Sequence, residues 1–501
     1  MSHELTDLRQ RLAELSDLNA INALLGWDQG SIMPAGAGEG RGRQMALMSK
    51  LLHDKFTDPA IGHLLEKLCK QAEQWDPHSL DAHIVAVTSK DYDIATRVPG
   101  AFVSEMTEHQ NASYMAWAEA RPANDFAKVI PFLEKTIELS RKYASFFPNS
   151  GHIADPLIDQ ADSGMTVATI RPLFKTLRDG LVPMVDAICR QAPADDSCLT
   201  GPFPIDQQMV YGRLLAEKVG YDFHRGRLDT ARHPFEARLA YGDIRITTRA
   251  RENDLGDCLF SVIHECGHAM YEQGVAFELE GTPLSHGTSS GVHESQSRLW
   301  ENIVGRSKTF WQYQYPSLQA AFPQQLGNVS LDAFYRAINK VSRSLIRTDA
   351  DEVTYNLHVI TRFELELELL EGTLAVKDLA QVWKERYSQN LGITPTDDRD
   401  GVLQDVHWYA GVVGGSFQGY TIGNVMSAQI YEAALAADPS IAGAINGGNY
   451  APLLAWLQTN LYATGRRYDA AATLKRVTGS DLSVEPYFRY LHGKYGELYS
   501  L

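Results

Sequence analysis

The apolar positions of this chain recur mostly at helical spacing. Near the start, leucines stand three or four residues apart and predict one amphipathic face of an opening helix; they are Leu5, Leu8, Leu12, Leu15 and Leu18. Similar patterns predict helices near residues 103–121, 125–147, 166–191, 205–219, 350–371 and 484–499. Short turn-forming runs separate these segments. We therefore expect a mainly α fold.

Residues 235–250 follow a different period. Ile244, Ile246 and Thr248 alternate with polar residues, as in a strand with two unlike faces. A turn is expected at residues 241–243, so this region predicts a strand pair and a small β-sheet. No long linker or clear internal repeat divides the chain. We expect residues 1–501 to form a single catalytic unit, with two lobes around a cleft.

Composition and charge narrow the class of protein. The 501 residues are 44% hydrophobic, which is normal for a globular chain. A formal net charge of −16 argues against nonspecific binding to nucleic acid or to an anionic membrane. The start of the chain has no secretory pattern, no apolar run is long enough to cross a bilayer, and the five cysteines show no close pairing. These features predict a cytoplasmic protein with reduced thiols.

The run His264-Glu265-Cys266-Gly267-His268 carries the candidate chemistry. Residues four apart on a helix share one face, so the two imidazoles can hold one divalent metal. The adjacent Glu265 can then reach a water activated by that metal, as a metal-dependent peptidase requires. Apolar residues at helical spacing surround the motif. Asn253 or Asp254 can cap this helix, and Gly274 suits its end.

A catalytic zinc usually takes three protein ligands and leaves a fourth position open. Glu294 is the best candidate for the third ligand, because one loop and a returning helix can bring it back to the motif. His293 is its neighbour and competitor. Glu294 can also be explained as an exposed partner of Arg298, one helical turn away. The residue types alone leave these alternatives open.

Five ordered blocks make the chain resemble the carboxypeptidase Taq family of metallocarboxypeptidases. They are D-x-R-x-T at 243–247, H-E-x-x-H at 264–268, H-E-S-x-S-R at 293–298, I-R-x-x-A-D at 346–351 and G-x-x-Q-D-x-H-W at 401–408. Weaker agreement extends to residues 26–29, 33–34 and 420–424. The stretch 414–420 lacks the proline that the family usually has before its Tyr-x-x-Gly-Asn segment, so the loop around Tyr420 is expected to differ in shape.

The resemblance implies a mostly helical fold with a small sheet beside a deep groove. It also implies removal of single residues from the free C-termini of peptides, zinc or cobalt as the metal, and a homodimer. It selects Glu294 over His293 as the third ligand, beside His264 and His268. Peptides are then the expected partners, and neither nucleic acid nor a membrane is expected.

The proposed chemistry gives Glu265 the role of general base, against the alternative of a solvent-facing helix carboxylate. His407 and Tyr420 are candidate donors to the negative oxygen of the tetrahedral intermediate. The alternatives are an ordinary packed pair of His407 with Trp408, and a Tyr420 that lines the core.

Recognition of the substrate's terminal carboxylate suits a guanidinium fork. Arg347 is the strongest candidate, and the alternative is a structural salt bridge with Asp349, Asp351 or another carboxylate. Gln404 and Arg245 are further candidate substrate contacts. Arg245 can instead pair with a carboxylate to hold the sheet, and we favour that role. The strand that carries Arg245 is expected to offer its edge to an extended peptide.

Two other functions remain as alternatives. One is a zinc endo-oligopeptidase or dipeptidyl carboxypeptidase of similar shape. The other is a non-catalytic scaffold stabilised by its metal. A structural zinc site is usually closed by four protein ligands, often cysteines. Neither Cys258 nor Cys266 is spaced to join the two histidines, so the sequence favours an enzyme.

Overall fold

The structure, a computed structural model, describes residues 2–501, and most of them are helical. The first eleven helices are α1 (His3–Ser31), α2 (Gly38–Phe56), α3 (Pro59–Ala72), α4 (Leu80–Arg97), α5 (Gly100–Ala123), α6 (Ile130–Ser145), α7 (Asp155–Ala161), α8 (Val167–Cys189), α9 (Ile205–Val219), α10 (Leu255–Gly274) and α11 (Ser290–Arg298). The remaining eleven are α12 (Lys308–Ala321), α13 (Pro323–Leu326), α14 (Leu331–Ile338), α15 (Tyr355–Glu371), α16 (Leu379–Leu391), α17 (His407–Ala410), α18 (Gln418–Ala437), α19 (Ser440–Asn446), α20 (Ala451–Asn460), α21 (Ala470–Thr478) and α22 (Glu485–Tyr499). The predicted mainly α fold is confirmed.

The predicted helices are present with small shifts at their ends. Helix α9 coincides with the predicted 205–219. Helix α15 begins at Tyr355, five residues after the predicted start at 350. The carboxylate of Asp351 accepts hydrogen bonds from the backbone N–H groups of Val353 and Thr354, at 2.9 and 3.0 Å. These local bonds compete with helix formation, so the residues just before Tyr355 form a turn.

Three strands form the small sheet in the order β1–β3–β2: β1 (Leu228–Thr230), β2 (Glu236–Ala240) and β3 (Asp243–Thr248). The predicted β2–β3 pair is antiparallel, with Glu236 opposite Ile246. The third strand, β1, was not predicted, since three residues are too few to show a period.

One expectation about the sheet is wrong. Strand β3 pairs with β1 on one side and β2 on the other, so it has no free edge for a peptide. The backbone groups of β3 already make ladder hydrogen bonds in both directions. The outer edges of the sheet belong to β1 and β2, and β2 is the one that lines the groove described below.

The buried apolar residues form two hydrophobic clusters. The larger one spans α5 to α22 and encloses α10, α11 and α18. The smaller one joins α1, α3 and α4 to residues 275–284, and includes four of the five leucines that predicted α1. A groove of about 700 Å³ is lined by residues of the N-terminal helices, among them Leu15 and Phe56, together with Arg238 of β2 and Arg466. This groove runs past β2.

The described residues contain neither a disulfide nor a helix that could cross a membrane. All five cysteines are unpaired: Cys69, Cys189, Cys198, Cys258 and Cys266. Within residues 2–501, no helix combines the length and the apolar character needed to cross a bilayer.

Candidate metal centre and active site

Helix α10 presents the two histidines of the motif on one face. Asp254 caps its N-terminus by accepting a hydrogen bond from the backbone N–H of Asp257 at 3.1 Å, and the helix ends at Gly274 as expected. The rings of His264 and His268 lie 5.0 Å apart between centroids, nearly perpendicular to each other. Both rings are partly exposed, whereas the apolar face of α10 is buried.

Glu294 completes the cluster from α11. One of its oxygens, Oε2, lies 3.8 Å from Nε2 of His264 and 3.4 Å from Nε2 of His268. The donor atoms of these three residues all lie within 4.8 Å of one another. Glu294 also pairs with Arg298 through Oε1 at 2.6 Å, but it is buried. The ion pair with Arg298 therefore exists, but its carboxylate is buried, so the alternative of an exposed pair is wrong.

Close contact between helices makes this cluster possible. Gly267 of α10 faces the backbone of α11, and a Cβ there would lie only 2.5 Å from Gln296 O. Gly423 of α18 faces Glu294 on the other side, where a Cβ would lie 2.6 Å from Cγ of Glu294. Two glycines thus let α11 fit between α10 and α18, which positions Glu294 opposite the histidines.

The ring nitrogens that face away from Glu294 are held by other residues. Nδ1 of His264 lies 2.9 Å from Oε2 of Glu301, which sits in one turn of π-helix, Leu299–Val304. Arg298 and Arg306 both contact the Glu301 carboxylate, each at 3.1 Å. Such contacts fix ring orientation and leave Nε2 as the coordinating atom.

His268 is held through a second histidine. Its Nδ1 lies 2.6 Å from Nδ1 of His293, whose Nε2 lies 2.9 Å from Oε1 of Glu272. The Glu272 oxygen also accepts the backbone N–H of Gly287 at 2.7 Å. When the His293 ring is neutral and donates to the Glu272 carboxylate through Nε2, its Nδ1 is an acceptor to which His268 Nδ1–H donates. His293 therefore orients His268.

These residues fit a divalent metal. Two imidazole nitrogens and one carboxylate oxygen face one point, which is the usual ligand set of a catalytic zinc. Burial lowers the pKa of His268 to about 4, so the ring is neutral, as a ligand must be. Burial would raise the pKa of Glu294, but Arg298 and His264 outweigh it and hold that pKa well below its usual range.

Glu265 points into a protected position beside the cluster. Its side chain is 5% exposed, which rules out the solvent-facing alternative. Burial raises its pKa to about 7, with the carboxylates of Glu294 and Glu301 adding to the effect and His264 opposing it. A carboxylate with a pKa near 7 is suited to accept and return a proton at neutral pH.

Arg347 lies in a buried ionic cluster. Its Nε and NH2 group donate to Asp405 at 3.1 and 2.8 Å, and its NH1 group donates to the Tyr355 hydroxyl at 2.9 Å. Asp405 also pairs with Arg362 at 2.5 Å. The alternative salt bridge thus exists, with Asp405 as the partner. Two N–H groups of Arg347 stay free of these contacts, one on each terminal nitrogen.

His407 and Tyr420 lie on the Arg347 side of the metal cluster. Tyr420 lines a cavity together with His268 and Glu294. The His407 ring packs against Phe417, with 4.5 Å between centroids, and stands 6.4 Å from the Tyr420 ring. Burial and the nearby Arg347 lower the pKa of His407 to about 4.

Gln404 and Arg245 are both engaged within the protein. Gln404 Oε1 accepts the backbone N–H of Arg347 at 2.9 Å, so it positions that residue. Arg245 makes a paired contact with Asp243 at 2.8 and 2.7 Å and lies 4.3 Å from the centroid of the Trp27 ring. These contacts join α1 to the sheet, as our favoured interpretation of Arg245 requires.

Comparison with known proteins decides the family. A family model described as carboxypeptidase Taq (M32) metallopeptidase matches residues 7–495. The chain belongs to this family. It is therefore a metal-dependent carboxypeptidase, and peptides are its substrates.

Individual M32 relatives match over nearly the whole chain. Thermostable carboxypeptidase 1 of Thermus thermophilus is 40% identical, with 97% of each chain covered. Carboxypeptidase 1 of Bacillus subtilis is 36% identical over 99% of this chain and 98% of its own. The crystal structure of an M32 carboxypeptidase from Deinococcus radiodurans R1 superposes with a TM-score of 0.97 at 49% identity, covering both chains completely. These findings confirm the carboxypeptidase interpretation and do not favour the endo-oligopeptidase alternative.

Sequence reasoning missed the residues that support this M32 site. Glu272 follows His268 by four positions on the same helix face, which was a usable signal. Glu301 could not be found that way, because a π-helical turn changes the spacing after α11. Asp405 lies inside a recognised block, but its two arginine partners come from distant segments.

Proposed function

We propose that this metallocarboxypeptidase releases single residues from the free C-terminus of peptides with zinc as its metal, held by His264, His268 and Glu294. The observation that carries this is the three-residue cluster beside the buried Glu265. Cobalt can occupy the same nitrogen and oxygen ligands. A bound zinc supplies Lewis acidity and lowers the pKa of water to about 7.

Glu265 acts as general base in the proposed mechanism. Its carboxylate takes a proton from the water that attacks the scissile carbonyl carbon. It then donates that proton to the nitrogen of the departing residue, and the C–N bond breaks. Positioned proton transfer of this kind contributes about 10²- to 10⁴-fold in rate.

Tyr420 and His407 assist the negative oxygen formed during attack. Tyr420 lines the cavity that His268 and Glu294 also line, whereas His407 does not, so Tyr420 is the better placed of the two donors. Burial raises the Tyr420 pKa to about 12, and the side chain keeps its proton for donation at neutral pH. His407 lies behind it and is neutral. Removing one such donor typically costs about 10²- to 10³-fold in turnover.

Arg347 binds the substrate's terminal carboxylate through its two remaining N–H groups. Asp405 and Gln404 hold the guanidinium and the backbone of Arg347 in place for this contact. The residues that precede the cleaved bond run along the groove and can pair with the free edge of β2. Arg245 contributes indirectly, by fixing the sheet against α1.

The assembly and the location follow from resemblance and composition. We infer a cytoplasmic homodimer, formed from one unit of residues 1–501 with two lobes, that binds neither nucleic acid nor membranes. The net charge of −16 supports the absence of binding to nucleic acid and membranes, and the five unpaired cysteines support the cytoplasmic location. The dimer rests on the family resemblance. Sedimentation velocity at micromolar concentration tests the dimer directly, since a single species at the monomer mass of 55.7 kDa contradicts it.

A timed mass-spectrometry assay tests the activity. One peptide is supplied as the free acid and as the C-terminal amide, with and without a chelator. We expect stepwise loss of single residues from the free acid alone, and only when metal is present. Equal cleavage of the amide, or loss of dipeptides, contradicts the proposal. Glu265→Gln serves as the matched variant: it should keep its metal and lose at least about 10²-fold in turnover.

A further inference from the structure

A buried carboxylate from a distant part of the chain lies where two helices of the active site begin. Asp162 follows the last residue of α7 and is fully buried. Its Oδ1 atom accepts the backbone N–H of Gly291 in α11 at 2.6 Å. Its Oδ2 atom accepts the side-chain N–H of Gln418, the first residue of α18, at 2.9 Å. One side chain thus joins the starts of α11 and α18.

The first turns of both helices leave room for this carboxylate. A Cβ at Gly291 would lie 3.1 Å from Oδ1 of Asp162, and a Cβ at Gly419 would lie 3.1 Å from Oδ2. Both distances are shorter than an ordinary van der Waals contact, so the two glycines let the carboxylate approach each helix closely. The N-terminus of a helix carries partial positive charge, which stabilises a carboxylate placed there. The contact is therefore favourable on both sides.

Backbone strain indicates that the start of α11 is held from outside the helix. Ser289, which caps α11, has a φ of +45°, and such an angle costs energy in a residue other than glycine. A strained backbone persists only where the surrounding contacts fix it. The hydrogen bond from Gly291 to Asp162, two residues further along, is such a contact.

Two residues of the proposed mechanism lie close to this junction. Glu294 stands about one turn along α11, and Tyr420 stands in the first turn of α18. Glu294 is also held by Arg298 at 2.6 Å. Tyr420 instead takes its position from the backbone at the start of α18, where Asp162 is bound. A shift of that start would move the Tyr420 hydroxyl relative to Glu294.

We propose that Asp162 is a positioning residue, whose carboxylate fixes the start of α18 against α11 and so sets where Tyr420 lies relative to the metal site. The Tyr420 hydroxyl then reaches the negative oxygen of the intermediate only while this contact is intact. Asp162 touches no substrate and acts through Tyr420. The inference rests on the proposed function, which gives Tyr420 its role as a donor.

Asp162→Asn keeps the size of the side chain and replaces one acceptor oxygen with an NH2 group, which cannot accept. For the folded variant saturated with zinc, we expect kcat on a free-acid peptide to fall about tenfold, because an oxyanion donor is displaced. KM and zinc affinity should stay within about threefold, since Glu294 keeps its contact with Arg298. An unchanged kcat, or full recovery of activity in excess zinc, overturns the proposal.

Asp155→Asn is the matched control on the same helix. The Asp155 carboxylate also accepts two N–H groups, from His152 and Val167 at 2.8 Å each. Val167 begins α8, which takes no part in the proposed mechanism. We expect kcat of this variant to stay within about twofold of wild type, whatever its stability. An equal fall in kcat for both variants would reflect a general effect of α7 and contradict the assignment.

A double-mutant cycle with Tyr420→Phe separates positioning from a purely structural role. Loss of the hydroxyl should cost about 10²-fold in kcat. Adding Asp162→Asn to that variant should cost less than about twofold more, because the group that Asp162 positions is already gone. A further tenfold loss overturns the proposal. A wild-type enzyme that cleaves no free-acid peptide would instead contradict the proposed function itself.

Gly419→Ala provides a second displacement if Asp162→Asn does not fold. The new methyl group would lie 3.0 Å from Cβ of Ser290 and 3.1 Å from Oδ2 of Asp162, so the start of α18 must shift by a few tenths of an ångström. Alanine favours a helix over glycine, so the fold should persist. We expect kcat to fall several-fold while zinc affinity is kept. An unchanged kcat in this variant also overturns the proposal.

Discussion

At the scale of single residues, the two histidines of the proposed metal site are oriented by unlike partners. His264 contacts the Glu301 carboxylate directly, while His268 reaches Glu272 through the ring of His293. A carboxylate partner raises the basicity of a ligand histidine and fixes its ring orientation, and His268 contacts its carboxylate only through the His293 ring. His293 was a competitor for the metal in the sequence, and the structure gives it this supporting position instead.

Replacing His293 with alanine tests that position. His268 then loses the acceptor for its Nδ1–H and can rotate, so we expect metal affinity to fall about 10- to 100-fold. Competition against a chromophoric chelator measures the change. His152→Ala is the matched control, because it removes a histidine–carboxylate contact, to Glu371 at 3.0 Å, on the partly exposed surface. Unchanged affinity in the His293 variant would contradict the supporting role.

Asp405 is the single carboxylate shared by Arg347 and Arg362. Burial would raise the pKa of Asp405, but the two guanidinium groups outweigh it and hold the pKa far below its usual range. A carboxylate with a depressed pKa stabilises the fold at every pH above its unfolded value, about 3.9, and the stabilisation declines as the pH falls below that.

Asp405→Asn should therefore destabilise the protein by about 3–5 kcal/mol at neutral pH, since two buried arginines lose their charge partner. The difference from wild type should be the same at pH 5 and pH 7 and should shrink below about pH 4. Urea unfolding at several pH values measures it. Asp54→Asn, at the exposed pair with Lys50, should change stability by less than about 1 kcal/mol. A gap that widens in acid would refute this explanation.

At the scale of secondary structure, the site depends on how closely α10 and α11 approach each other. The contact passes over Gly267, which lies between the two histidines in the sequence. After α11, the π-helical turn rotates Glu301 back toward His264. One continuous segment, residues 290–304, therefore provides both Glu294 and Glu301, the carboxylate that orients His264.

Gly267→Ala tests this approach. The new methyl group would meet the backbone of α11, which cannot rotate away, so the helices must separate. We expect a loss of about 1–3 kcal/mol in stability and weaker metal binding, because Glu294 moves with α11. Thermal unfolding and metal titration report the two effects. Gly256→Ala, in the first turn of α10, is the control. Its Cβ would lie 3.5 Å from the nearest atom, an ordinary van der Waals distance, so neither stability nor metal binding should fall.

At the scale of the whole molecule, the N-terminal helices contact the rest of the chain through apolar packing on residues 275–284 and through polar side chains. Arg466 makes a paired contact with Asp91 of α4 at 2.6 and 2.8 Å. Trp27 of α1 packs under Arg245 of the sheet. Arg466 and Asp91 both line the groove, so the strength of their ion pair affects how firmly the wall formed by α4 is held.

Arg466→Ala should loosen one wall without touching the metal cluster. We expect faster hydrogen exchange in α4, by up to about fivefold as a partly exposed ion pair allows, and unchanged exchange in α10. Exchange followed by mass spectrometry resolves the two helices. Arg43→Ala breaks an ion pair within α2, to Glu39, and should leave α4 unaffected. A uniform increase over the whole chain would show that no separate wall exists.

Many of the helices, one strand and the type of activity could be predicted from the sequence. Helical spacing in α1, α9 and α22 and the alternation in β3 each follow from side chains that must face one apolar surface. The placement of His264 and His268 on one helix face could also be predicted from the local sequence, since four residues make about one helical turn. The family blocks then gave the carboxypeptidase activity, which the comparisons confirm.

Contacts between distant segments were decided only by the tertiary structure. The burial of Glu294, the relay through His293, the pairing of Arg347 with Asp405 and the central place of β3 each join residues from separate elements. Such contacts depend on which helix faces approach and at what distance. Glycines at 267 and 423 set that distance, and a local sequence pattern carries no record of what lies opposite a glycine.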